Sequence, residues 1–395
     1  MVTEPVDRFY LSTIKRKAEM NMDVKKFYEE KMYGIWREGE NVTYERLGAD
    51  PAAAEGAEKP KNPFAPIGGE LVKITIETEG RTSSFIVHAY IPTQEQREAF
   101  AVRHGGSTKY KGLPFLICMH PIFPKDYLLE QGVAVFFMDC YQIASDDIRR
   151  LGAFYDLYPY TEDPATQTGG LMAWAWGASK VLDAVYAGLD LEFGLDAEAS
   201  MVTGVSRWGK ATAVCGAFEK RFRLTIPTCS GAGGLAQYNY VSEGRTYDLS
   251  SVGGPDAYTY TQNEPLSCLQ SDAERGWFVD RFLEFREPSD ITPDQDALPV
   301  MAMGEDRYYF IIAAYTGEDW VNAPSMWECY KKANAVYAKH GLEDHLVVHF
   351  HLVGHAVIEE DVKLFLPYFD RMYYGMDAMP DLAPLKTTAF AGQDN

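Results

Sequence analysis

The 395-residue sequence predicts a three-layer α/β sandwich, with helices on both faces of a mostly parallel sheet. Three observations predict it. Short apolar runs without polar alternation recur at 114–119, 132–138, 200–203, 224–227, 308–314 and 346–353, as strands buried on both faces do. Helix-compatible stretches at 169–189, 210–222, 318–340 and 357–374 lie between and after them, and such alternation implies parallel pairing. At 200–210 the chain reads Ser-Met-Val-Thr-Gly-Val-Ser-Arg-Trp-Gly-Lys: a strand, a tight turn bearing Ser206, then a helix.

Taken in order, residues 6–36 mix charges with helix formers and predict one or two peripheral helices. Residues 50–69, rich in Pro, Ala, Gly and Glu, read as a linker or surface loop. Alternating segments at 70–77 and 83–92 flank Glu79-Gly80, a hairpin signal. The polar stretch 94–111 reads as a loop or short helix, and 155–167 as a long loop. In the helix predicted at 169–189, Leu171, Trp174, Ala175, Ala178, Val181 and Leu182 fall on one face. Residues 232–300 have weak periodicity and are expected to form an insertion capping the strand ends. The expected organisation is an N-terminal region, 1–68, packed on a single catalytic domain, 69–395.

A formal net charge of −20 argues against nucleic acid or an anionic membrane as partner, because a phosphate backbone is bound by displacing its counterions with Lys and Arg. The 46% hydrophobic share is ample for a large core. The 13% aromatic share suits either a carbohydrate cleft or a Tyr-rich surface. Cysteines at 118, 140, 215, 229, 268 and 329 form no C-x-x-C pair and read as buried free thiols in a reducing compartment. The first 22 residues are charged and lack an apolar stretch, so a cytoplasmic location is expected. No apolar run reaches the length of a membrane span.

The 200–210 segment has the layout of a nucleophile elbow, here with one residue more than Gly-x-Ser-x-Gly. The sharp turn lifts the serine clear of the sheet, beside the first unpaired amides of the next helix, where an oxyanion is favoured. A serine hydroxyl attacks only when a base takes its proton. In this architecture, the α/β-hydrolase fold, the base is a histidine after the last strand, and His355 in Val353-Gly354-His355 stands there. His349 and His351 share its strand parity, a spacing that suits a metal site; half-buried strand histidines are the favoured reading, with no metal or other cofactor expected. The orienting acid should follow the preceding strand, where Gly317-Glu318-Asp319 offers two carboxylates. Asp319 is favoured because Gly-x-Asp at a strand end is the common form.

These residues resemble the glucuronoyl esterases, the fifteenth family of carbohydrate esterases, over roughly residues 110–375. Residues 203–210, Thr-Gly-Val-Ser-Arg-Trp-Gly-Lys, are similar to that family's Gly-Cys-Ser-Arg-x-Gly-Lys signature, which accounts for the stretched spacing. Gly216-Ala217-Phe218-Glu219-Lys220-Arg221 and Ser230-Gly231-Ala232-Gly233-Gly234 follow as in the family, and segments 154–158 and 171–177 are similar to its bacterial members. The resemblance implies Ser206 as nucleophile, His355 as base and Arg207 as an oxyanion-binding guanidinium. It implies Lys210, Trp320 and Glu274 as contacts to a uronate ring. It also implies a small-molecule or oligosaccharide ester of (4-O-methyl-)glucuronic acid as substrate. The chain departs from the pattern in three residues. Cys229 stands where fungal members carry the catalytic glutamate, so the acid is expected from Glu318-Asp319. Val205 and Ala356 replace a half-cystine pair. Two other readings stay open: an esterase for a different acyl group, and a carbohydrate-binding protein that has lost catalysis.

Overall fold

A computed structural model describes residues 23–119 and 122–393. Of the one or two helices expected over 6–36, residues 6–22 lie outside the described residues, and a short helix is present at Tyr28–Met32. Among these described residues nine strands form the main sheet in the order β1-β2-β3-β5-β4-β6-β7-β10-β11. In chain order these are β1 Asn41–Ala49, β2 Glu70–Thr78, β3 Arg81–Tyr90, β4 Leu113–Cys118, β5 Ala134–Met138, β6 Leu195–Val205, β7 Leu224–Thr228, β10 Tyr308–Ala314 and β11 Leu346–His351. The two-residue strands β8 Thr246–Tyr247 and β9 Tyr258–Thr259 pair apart from it.

β3 joins the rest of the sheet antiparallel to β5, and every pairing from β5 to β11 is parallel. Apart from the first residues of β6, those six strands carry the largely apolar runs expected of two buried faces. β4, β5, β7 and β10 are buried at every position. β2 and β3 form the expected hairpin, with Glu79 at φ 47° and Gly80 at φ 76°, the paired left-handed residues that a tight two-residue turn demands. β1 is an addition to the prediction. Most of its residues are exposed, so it carries no core-facing period that a sequence could show.

Among the described residues, five helices of more than ten residues flank the sheet: α1 Gln94–His104, α2 Gly170–Ala184, α3 Arg207–Phe218, α4 Ala323–Ala338 and α5 Glu359–Tyr374. α2 and α3 pack together, and the short helix Ala297–Ala302 touches both α3 and α4. On the other face α1 is tied to α5, with His104 Nε2 3.0 Å from Asp370 Oδ1. α2 is buried at every position except Asp183, so the single apolar face expected of it is too narrow. Its Trp174 and Trp176 are both fully buried and donate their indole N–H groups to Ala144 O and Glu40 Oε1, each at 2.9 Å. The arrangement is the α/β-hydrolase fold.

Candidate active site

β6 delivers Ser206 and α3 begins at the next residue. The turn between them is strained: Ser206 has φ 64° and ψ −129°, a region a side-chain-bearing residue occupies only when its surroundings impose it. Its neighbours show what imposes it. A Cβ added at Gly204 would lie 2.6 Å from Trp208 O, and one at Gly209 would lie 2.4 Å from Thr228 O. Only glycine lets strand, turn and helix approach so closely. Ser206 N–H is spent on Thr228 O at 3.0 Å, and its side chain makes no capping bond to α3. The hydroxyl, which a helix-capping serine normally commits to the backbone, is therefore left for other use.

Glu318 and His355 follow β10 and β11, so they reach the same C-terminal rim as Ser206. His355 Nδ1 lies 2.9 Å from Glu318 Oε2, with Glu318 13% and His355 35% exposed in their side chains. Asp319, favoured from the sequence for that position, does not make this contact. Its Oδ1 accepts from Tyr258 Oη at 2.6 Å and its Oδ2 from Thr261 N and Thr261 Oγ1, both at 2.8 Å. The two neighbours thus divide the work, Glu318 facing the imidazole and Asp319 pinning residues 258–261 to the rim. His349 and His351 do not join His355; they face Asp361, at 3.4 and 3.7 Å. Among the described residues no group of three or more His, Cys, Asp or Glu is placed to hold a metal ion.

Ser206, Arg207, Lys210, Glu318, Trp320 and His355 line one cavity of about 570 Å³, and Glu274 lines it too. Arg207 is aimed by a network. Its guanidinium pairs with Asp146 and lies 5.5 Å from the Trp277 ring centre. Asp146 in turn accepts from Trp277 Nε1 at 2.6 Å and Tyr141 Oη at 3.3 Å. Lys210 is buried, and its ammonium has three partners: Ser230 O at 2.9 Å, Ala232 O at 2.6 Å and Glu264 Oε2 at 2.6 Å. An ammonium has three protons, so a sugar hydroxyl at Lys210 has to share or displace one of these bonds.

Glu264, absent from the sequence prediction, is the buried carboxylate that pairs with Lys210, and it also accepts from Ala232 N–H at 3.0 Å. Burial pushes its pKa up, against the pull of Lys210, and the Glu274 charge adds to the rise. Glu274 is half-buried, and its Oε2 is a buried atom with no hydrogen-bond partner. Asp146, Gln262 and Tyr258 also escaped prediction. Two lie in the weakly patterned 232–300 stretch and one in a loop, where neither period nor motif marks them.

Cys229 occupies the end of β7 in a small apolar cluster with Val205, Ala314 and Val321. Burial pushes its thiol pKa far up, and the nearby Glu318 and Asp361 charges push the same way, so it stays protonated. All six cysteines are free thiols. Among the described residues no helix is long and apolar enough to cross a membrane.

The sheet order, the strained serine elbow and the imidazole–carboxylate pair at the strand ends define an α/β-hydrolase-fold protein in which Ser206 and the His355–Glu318 pair line one cavity. Comparison with known proteins narrows this. A family model described as glucuronyl esterase of fungi matches residues 74–341. A multidomain esterase of Ruminococcus flavefaciens is 40% identical over 385 residues, which is 95% of this chain and 46% of that protein. A 4-O-methyl-glucuronoyl methylesterase of Hypocrea jecorina is 33% identical over 200 residues, 50% of this chain and 38% of that one. The chain therefore spans less than half the length of these curated relatives. Among solved structures, a carbohydrate esterase family 15 glucuronoyl esterase from Caldicellulosiruptor kristjansonii superposes with a TM-score of 0.77 at 29% identity, covering 95% of this chain and 89% of that one. The chain belongs to the glucuronoyl esterase family.

Proposed function

We propose that this protein is a serine esterase that hydrolyses esters of (4-O-methyl-)glucuronic acid through an acyl-enzyme. Ser206 Oγ attacks the ester carbonyl at C6 while His355 takes its proton and passes it to the departing alcohol oxygen. Glu318 holds the imidazole by Nδ1, leaving Nε2 to face the serine, and stabilises the imidazolium that forms. The first amides of α3 and the Arg207 guanidinium meet the oxyanion, setting positive charge and N–H donors where negative charge develops. Water then attacks the acyl-enzyme with His355 again as base, releasing the uronate.

The observation that carries this reading is the 2.9 Å contact between His355 and Glu318 on the cavity that also holds Ser206. It supplies the carboxylate that Cys229 cannot, and so speaks against a binding protein without catalysis. The name of the H. jecorina relative supports the uronate as acyl group. Glu264, Glu274, Lys210 and Trp320 offer polar groups and an aromatic face to the hydroxylated ring. The test is hydrolysis of benzyl or methyl glucuronate beside 4-nitrophenyl acetate, with wild type and Ser206→Ala. Turnover of the uronate ester that Ser206→Ala abolishes supports the proposal. Turnover of the acetate alone points to another acyl group.

A further inference from the structure

In the loop carrying His355, residues 352–358, Leu352 is 36% and Val353 61% exposed, and Val357 is only partly buried against the core. With Val205 and Ala356 in place of a half-cystine pair, no disulfide fixes it. The backbone is nevertheless held closely. Beneath it lies His351, the last residue of β11 and 6% exposed. Its Nδ1 accepts from Val353 N–H at 3.2 Å, and its Nε2 lies 3.2 Å from Ala356 O. A neutral imidazole that accepts at Nδ1 carries its proton on Nε2, so Nε2–H donates to Ala356. The ring thus bridges the two residues that flank Gly354-His355. Asp361, fully buried, fixes the far end of the loop by accepting Ile358 N–H at Oδ2, 2.8 Å away. Burial pushes the His351 pKa down, against the Asp361 charge, and His349 pushes it the same way as burial. The ring stays in the one tautomer that makes both bonds.

We infer that His351 is a positioning residue for the esterase reaction: its imidazole, bonded to the loop backbone at 353 and 356, sets His355 in place before Glu318 and Ser206. His351 does not line the cavity of Ser206 but a separate one, with His349, Tyr315 and Ile358, so it acts through the loop and not on substrate. The inference rests on the reading of His355 as the general base.

Three variants test it: His351→Ala removes both bonds, His351→Asn keeps an acceptor near the place of Nδ1, and His351→Gln keeps a donor near the place of Nε2. The measurements are kcat and KM on benzyl glucuronate and the rate at which a fluorophosphonate labels Ser206. His351→Ala is expected to lower kcat and labelling by about 10–100-fold with KM within about twofold, as a displacement of about 1 Å at a reacting group does. His351→Asn and His351→Gln recover part of that loss. A folded His351→Ala enzyme with kcat within about threefold of wild type, or a rise in KM with kcat kept, overturns the inference. Should His351→Ala not fold, Asn and Gln variants that both match wild-type kcat overturn it equally. Turnover kept by Ser206→Ala and His355→Ala removes the esterase reading, and this inference with it. Turnover lost in those two but kept in every His351 variant removes this inference alone.

Discussion

Replacing Glu318 by Gln tests which of two adjacent carboxylates serves the imidazole. The substitution keeps the shape and an acceptor but removes the charge 2.9 Å from His355 Nδ1. With charge centres about 4 Å apart and an effective dielectric of about 20, the attraction between carboxylate and imidazolium is roughly 4 kcal/mol. That is about a thousandfold in rate. His355 is 35% exposed, so solvent screening reduces the effect. The expected loss in kcat is then about 10²–10³-fold, with KM for benzyl glucuronate within about threefold. Asp319→Asn is the matched control. Its three bonds go to Tyr258 and Thr261, so it should lower the melting temperature while leaving kcat within about fivefold. Initial rates over a range of ester concentrations, on protein shown folded by circular dichroism, decide the matter. A larger kcat loss in Asp319→Asn than in Glu318→Gln refutes the assignment, as does a Glu318→Gln enzyme within threefold or so of wild type.

Asp146→Asn leaves Arg207 present but unpaired, so kcat on glucuronate esters should fall about tenfold at unchanged KM, measured by the same initial rates. Glu264→Gln strands the buried Lys210 ammonium; KM should rise about tenfold and the melting temperature fall by several degrees in a thermal scan. Cys229→Ser should keep kcat within about threefold, and the wild-type thiol should resist a disulfide reagent until denaturant is added, because it is buried and protonated. His351 has its pKa lowered by burial in the folded state. The unfolded chain therefore takes the proton first, and the stability from a neutral ring is lost as pH falls below the ordinary histidine value of about 6.5. The melting-temperature advantage of wild type over His351→Gln should accordingly shrink between about pH 7.5 and about pH 5.5.

What the sequence made legible follows from how strongly each feature is constrained. The parallel strands and the elbow stood out because burial on both faces forces β-branched and aromatic runs, and because close approach forces glycine at 204 and 209. β6 begins at Leu195, five residues before the apolar run. Its first residues include Asp196 and Glu198, and its pairing with β4 shifts register between Leu113 and Phe115. Glu264 and Asp146 were invisible because each matters through a partner far along the chain, Lys210 and Arg207, which no local period records. The choice between Glu318 and Asp319 failed for a different reason. Adjacent residues in an irregular turn point in different directions, and a Gly-x-Asp pattern says nothing of which one does. Glu318 has φ −152° and ψ 45°, outside any regular element.

The position of the acid has a consequence for how the site is held together. A carboxylate at the end of β7 would sit on the strand beside β10; the chain instead places a protonated thiol there, in an apolar cluster behind the rim. The carboxylate that meets His355 comes from the β10 loop, so Glu318 and His355 hang on two neighbouring loops, each following one strand of the same parallel pair. Their separation then depends on the register of β10 with β11, fixed from Tyr309↔Leu346 to Ala314↔His351, and on what secures each loop beyond it. On the β10 side that is Asp319, tied to Tyr258 and Thr261 of the 232–300 stretch. On the β11 side it is His351 and Asp361. The two anchors are polar, buried and one residue or a few from the groups they steady. Loss of His351 should therefore be felt first in kcat, through a longer Glu318–His355 contact, whereas loss of the Asp319 charge should be felt first in stability, because its bonds go to Tyr258 and Thr261 and not to His355.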